Sequence, residues 1–165
     1  MGTEVSDVGI EIDVILESEI SNSQREFLVS TAREVVRFAL EKQGRDTQNS
    51  EVSVLFTGDD FIADLNKQYR DEDGPTDVLS FPMMEFDGDI EEVSIPGLPD
   101  ILGDIVISLD TASRQADAHG KTLREELALL LVHGTLHLLG YDHDEPQKEA
   151  VMWAHQDAIL KALNL

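Results

Sequence analysis

The chain contains no cysteine, which excludes disulfides and thiolate metal ligands; a zinc ion would have to take imidazole or carboxylate. Bases are scarce: 12 Lys and Arg stand against 34 Asp and Glu, for a formal net charge of −22. Taken as a whole, such a surface repels nucleic acid and anionic membranes, so binding any nucleic acid would require a local basic patch or a metal. No apolar run is long enough to cross a bilayer, the longest being Leu127 to Val132. The first residues, Met1 to Ile15, carry acids and lack the basic-then-apolar pattern of a signal peptide. These absences favour a cytoplasmic protein without membrane association. The bulk charge itself fits an acidic protein adapted to its host's conditions. Internal repeats and low-complexity linkers are also missing, and 165 residues suit one domain spanning 1–165.

The patterning that is present predicts an α+β domain, a small mixed sheet packed with helices. Ile10, Ile12 and Val14 alternate with acids as in a half-buried strand. Ser21, Asn22 or Ser23 is placed to cap a helix running to about Gln43, with Phe27, Ala32, Val35, Val36, Ala39 and Leu40 on its buried stripe. Val52, Val54 and Phe56 mark a second strand, and Asp59 or Asp60 opens a short helix through Tyr69. Val78–Phe81 and Leu102–Ser108 read as strands, separated by an acidic, Gly- and Pro-broken excursion over Met84–Asp100. Leu109–Ala118 reads as a helix, and Thr122 with Glu125 forms a capping-box signal for a long apolar helix. Pro146 starts the last helix. Strand order is not legible at this level.

The long apolar helix ends in His133-Gly134-Thr135-Leu136-His137-Leu138-Leu139-Gly140-Tyr141-Asp142-His143. Residues four apart lie on one face of a helix, one turn apart, so the imidazoles of His133 and His137 can converge on one ion. Gly140 suits a left-handed helix end that turns His143 back toward them. The spacing matches the long zinc signature H-E-x-x-H-x-x-G-x-x-H, except that Gly134 stands where that motif carries its general base. Three imidazoles with an open fourth position suit one catalytic Zn²⁺. The competing readings are ordinary core histidines and a closed structural zinc completed by Asp142 or Asp144. Without the glutamate, peptide hydrolysis is disfavoured. A phosphodiester needs less help at its leaving group, and zinc can lower the pKa of water toward ~7 unaided. Asp77, Asp104 and Asp144 are the nearest outside carboxylates for proton transfer. His119 and His155 have no motif around them and read as surface residues.

A second constellation, Tyr69-Arg70-Asp71-Glu72-Asp73-Gly74-Pro75-Thr76-Asp77-Val78-Leu79-Ser80-Phe81-Pro82, joins a helix end to a strand. Arg70 is one of few bases and its guanidinium suits bidentate contact with phosphate. A salt bridge to Asp73 or Asp77 is the alternative.

Together with Leu102-Gly103-Asp104-Ile105, these two segments resemble, in the same order, the YbeY family of bacterial metal-dependent endoribonucleases. The resemblance implies a compact α+β fold, a zinc site on His133, His137 and His143 at the end of a central helix, and a role for Arg70 in catalysis or RNA binding. It further implies single-strand RNA cleavage in rRNA processing, notably at the 3′ end of small-subunit (16S) rRNA, and in ribosome quality control. The implied partner is rRNA or a ribosomal particle. Two alternatives stand beside it: a metal-stabilised ribosome-assembly factor that binds a basic ribosomal protein and cleaves little, and another zinc hydrolase such as a peptidase.

Overall fold

In the computed structural model, which describes residues 9–83 and 98–165, the alternating segments pair into a four-stranded sheet of order β1-β2-β4-β3. The strands are β1 (Ile10–Val14), β2 (Ser50–Thr57), β3 (Val78–Pro82) and β4 (Asp100–Ser108). The helices are α1 (Asn22–Lys42), α2 (Asp59–Arg70), α3 (Leu109–Ala118), α4 (Leu123–Leu138) and α5 (Pro146–Ala162). β1, β2 and β4 run parallel, while β3 pairs antiparallel with β4 and forms an edge where Pro82 is tolerated. The sheet is therefore mixed, as the sequence led us to expect. β4, the last strand in the chain, sits between β2 and β3. Residues 84–97, most of the acidic excursion, lie outside the described residues.

Successive strand side chains point to opposite faces, and the two faces are covered unequally. Val52, Val54, Phe56, Ile105 and Ile107 face the main core, which they share with α1, α3, α4 and α5. On the other face Leu79 and Val106 meet Ile62 of α2 in a smaller cluster flanked by Leu55, Leu65 and Phe81. The buried stripe of α1 is Leu28, Ala32, Val35, Val36, Ala39 and Leu40, with Phe27 at its half-buried margin.

Local chemistry sets the helix starts. Ser21 and Thr122 each accept from the backbone N–H three residues on, at 3.1 Å in both cases, and Gln24 and Glu125 return the bond to the cap backbone. Ser108 caps α3 through the Thr111 amide. The start of α2 differs. Gly58 occupies its cap position and offers no side chain, so Asp59 is the first helical residue. The Asp59 carboxylate instead accepts from Ser108 Oγ and Thr111 Oγ1, both at 2.6 Å, and from Arg114 Nη2 at 2.8 Å. Burial opposes its charge, but these three bonds and the Arg114 charge outweigh burial and hold the carboxyl below its usual range. The knot ties the start of α2 to the β4–α3 junction.

Candidate metal centre

α4 is apolar almost all round because it lies across the sheet with α1, α3 and α5 packed beside it. Leu127, Leu131, Leu136 and Leu138 are fully buried there. At its end the Gly140 N–H donates to the His137 carbonyl at 3.0 Å and the Tyr141 N–H to the Leu136 carbonyl at 3.1 Å. This is the Schellman pattern, and it needs the positive φ of Gly140, 99°, which a side chain would strain. The turn brings His143 back over the helix end.

The three imidazoles converge. Ring centroids lie 4.7 Å apart for His133–His137, 5.7 Å for His133–His143 and 5.2 Å for His137–His143. One ligand nitrogen from each falls within 4.8 Å of the others, with His133 and His137 half-buried and His143 exposed. His133 Nδ1 lies 3.0 Å from Gln156 Oε1, which can only accept, so Nδ1 carries the proton and Nε2 presents a lone pair. The Nε2 atoms of His133 and His137 face each other at 3.2 Å. With the His133 Nε2 lone pair aimed across that gap, the contact takes either a proton donated by His137 or a cation between the two nitrogens. The separation matches the ~3.3 Å expected between donors of a tetrahedral ion with ~2.0–2.1 Å bonds. The donor set fits a divalent metal ion.

Electrostatics favour the neutral form of His133 and His137. Burial pushes the His133 pKa below its usual value. Burial, then the charges of His133 and His143, push His137 down to about 4, and Arg70 adds to the effect. A neutral imidazole is the form that coordinates.

α5 braces the cluster, which the sequence did not reveal. Gln156 is nearly buried, and Trp153 packs against both His133 and His143, with centroids 5.5 and 5.7 Å away. His155, expected at the surface, is half-buried. Its Nδ1 lies 3.2 Å from Gln43 Nε2 and its ring packs 4.9 Å from Tyr141, whose hydroxyl donates to Gln43 Oε1 at 2.8 Å. The misreading has a simple cause: these contacts form only when α5 docks on the end of α1, and no local motif encodes that. His119 is exposed, as expected. Replacing Gln156 with Leu frees the His133 tautomer, and metal affinity falls about 10- to 100-fold. Competition against a chromophoric chelator measures it; unchanged affinity would refute the orienting role.

The remaining candidates separate cleanly. Arg70 ends α2, is exposed, and lies near enough for its charge to act on His137. The alternative ion pairs are not formed: Asp73 pairs with Lys67 at 3.4 Å, and Asp77 Oδ1 accepts from the Val78 N–H at 2.7 Å and from Thr76 Oγ1 at 3.3 Å. Asp142 and Asp144 do not join the three-histidine cluster. Asp142 accepts from the His143 N–H at 2.7 Å and Asp144 pairs with Lys148 at 3.7 Å. Asp104 projects from the opposite face of the sheet, lining a groove with Asp13, Leu55 and Val106. Only Asp77 is close enough to influence His133.

Gly134 has a packing reason. A Cβ there would lie 2.9 Å from Ile105 Cγ2 and 3.2 Å from Ser80 Oγ, because α4 rests directly on β3 and β4. Ser80 Oγ donates to the Gly134 carbonyl at 3.4 Å in the same contact.

A mixed sheet carrying a helix whose C-terminal turn gathers three imidazoles defines a class of α+β proteins built around a metal-competent histidine cluster. Residues 15–164 match the family described as Endoribonuclease YbeY. The chain belongs to the YbeY endoribonuclease family. It is 44% identical to the Endoribonuclease YbeY of Moorella thermoacetica, over 91% of this chain and 99% of that one. The Bacillus subtilis protein of the same name is 40% identical, over 93% and 96%. A solution structure from Thermotoga maritima superposes with a TM-score of 0.55 at 29% identity, covering 92% of this chain and 87% of that one.

Proposed function

We propose that this endoribonuclease is zinc-dependent, cuts single-stranded RNA and acts in the cytoplasm on rRNA, including the 3′ end of 16S rRNA and defective ribosomal particles. The observation that carries this is the convergence of His133, His137 and His143 beside Arg70. The three histidines would hold the metal, and zinc fits their donor set best. A cation there supplies Lewis-acid charge to a phosphodiester and makes water more acidic. Arg70, unpaired with Asp73 or Asp77, is placed to take two phosphate oxygens and to neutralise charge that grows as the bond breaks. Gln156 holds His133 in the ligating tautomer. The close packing at Gly134 supports a reaction that needs no helix-borne carboxylate and weighs against a peptidase.

Incubating zinc-loaded protein with single-stranded rRNA precursors tests this. His133→Ala is expected to lose cleavage by at least ~100-fold, and Arg70→Ala by ~10- to 100-fold, through lost transition-state contacts. Equal cleavage by wild type and His133→Ala would mean another site or a contaminant. A second reading, an assembly factor that binds a basic ribosomal protein and cleaves little, is favoured by the net charge of −22. Absent cleavage with metal-dependent folding would support that alternative.

A further inference from the structure

The side chain nearest the histidine cluster that the nuclease chemistry leaves unused is Trp153, the chain's single tryptophan. Its ring lies 5.5 Å from His133 and 5.7 Å from His143, tilted by 54° and 43°, and it is 37% exposed. Tilted contacts of this kind do not consume a face of the indole as a parallel stack would, and the exposure leaves surface for a ligand. A large aromatic held open to water beside the reacting centre is an unusual place to leave apolar area. Along α5, Met152 and Gln156 turn into the protein while Val151 and Trp153 lie on its exposed side, and of these two Trp153 is the one packed against the histidines.

Charge makes the position matter. With 34 acids and 12 bases, the protein cannot gain much affinity for a polyphosphate through counterion release. Stacking of a base on an aromatic ring is independent of net charge and tolerant of sequence. It is also open only to bases whose faces are free, since in a duplex each base is already covered by its neighbours. Resting on the nuclease function proposed above, we infer that Trp153 is the stacking platform for an unpaired base adjacent to the phosphate held at the histidine cluster. Trp153 thereby selects single-stranded RNA.

The lone tryptophan is its own reporter. Zinc-loaded protein is titrated with a 2′-O-methyl RNA hexamer, which resists cleavage, with the same backbone carrying abasic positions, and with a hairpin duplex. The single strand is expected to quench Trp153 fluorescence, and the abasic and duplex forms to leave it nearly unchanged. Trp153→Ala weakens hexamer binding about 10- to 100-fold, while its affinity for the abasic strand matches wild type; Trp153→Phe retains most of the binding. Binding is compared at matched zinc occupancy, so that weakening of the brace that Trp153 gives the imidazoles is not read as lost stacking. Hexamer binding without quenching, or an equal loss of abasic and base-bearing strands in the variants, overturns the stacking role and leaves the nuclease function standing. Failure of the wild type to bind any RNA overturns both. Should Trp153→Ala not fold, quenching of the native protein and the Trp153→Phe affinity decide the outcome.

Discussion

Installing the missing glutamate, Gly134→Glu, is expected to destabilise the protein severely and to yield no peptidase. Gly134 is buried at the line where α4 meets β3 and β4, and even one added carbon meets Ile105 at 2.9 Å. Ile105 is fully buried and β-branched, so it cannot swing aside. Overpacking by a single methyl costs about 1–3 kcal/mol. A full glutamate adds a carboxylate to an apolar contact, for a total of about 4 kcal/mol or more. Against a domain stability of about 5–15 kcal/mol, a loss of about 4 kcal/mol leaves about 1 kcal/mol at the low end of that range, where a substantial unfolded fraction is populated. Denaturant unfolding of Gly134→Ala and Gly134→Glu checks the series: the first lowers the midpoint and the second lowers it further. A well-folded Gly134→Glu protein that hydrolyses a peptide panel would sink this account of the position.

Acid is expected to destabilise the metal-free protein through the same histidines. His137 titrates near 4 in the folded chain against 6.5 for an unperturbed imidazole. Between those values the unfolded state binds a proton that the folded state refuses. Stability from this source is therefore complete above about pH 6.5 and is lost as pH falls toward 4. Complete burial would set the loss near 3 kcal/mol; a half-buried ring, screened by water, brings it to about 1–2 kcal/mol. His133, also held below its usual value by burial, acts in the same direction. Glu126 opposes them. It is 2% exposed, one of its oxygens has no hydrogen-bond partner among the described residues, and burial raises its pKa. Its stabilising contribution is present below about 4.5 and is lost as pH rises through the raised value. Comparing the pH dependence of unfolding for wild type and His137→Asn isolates the histidine contribution from the changing net charge. Parallel curves for the two proteins would refute it.

What the sequence disclosed follows the range of the interaction. Ser21, Thr122 and Gly140 act on backbone within a few residues, and each does in the structure what its local pattern predicts. The spacing of His133, His137 and His143 is likewise local, being set by one helix turn and one reversal. The place of β4 between β2 and β3 was illegible, because all three strands carry similar apolar alternation and nothing local names a partner. Gly134 was legible as a departure from a motif, but its cause lies in Ile105 and Ser80, contributed by other strands. Gln156 and Trp153 escaped notice, and His155 was read as a surface residue, because α5 docks at a distance in sequence and its pattern shows only a helix that begins at Pro146.

The docking of α5 also has a temporal side. All three ligands leave the site of synthesis within one eleven-residue stretch, yet Gln156, which fixes the His133 proton, follows 23 residues behind. A nascent chain that has just produced His143 owns every donor atom and lacks the bond that aims the first of them. Firm retention of a cation at the three histidines would then await α5. A chain cut before α5 would hold an ion at the three histidines less firmly, so any activity that depends on that ion would wait for α5.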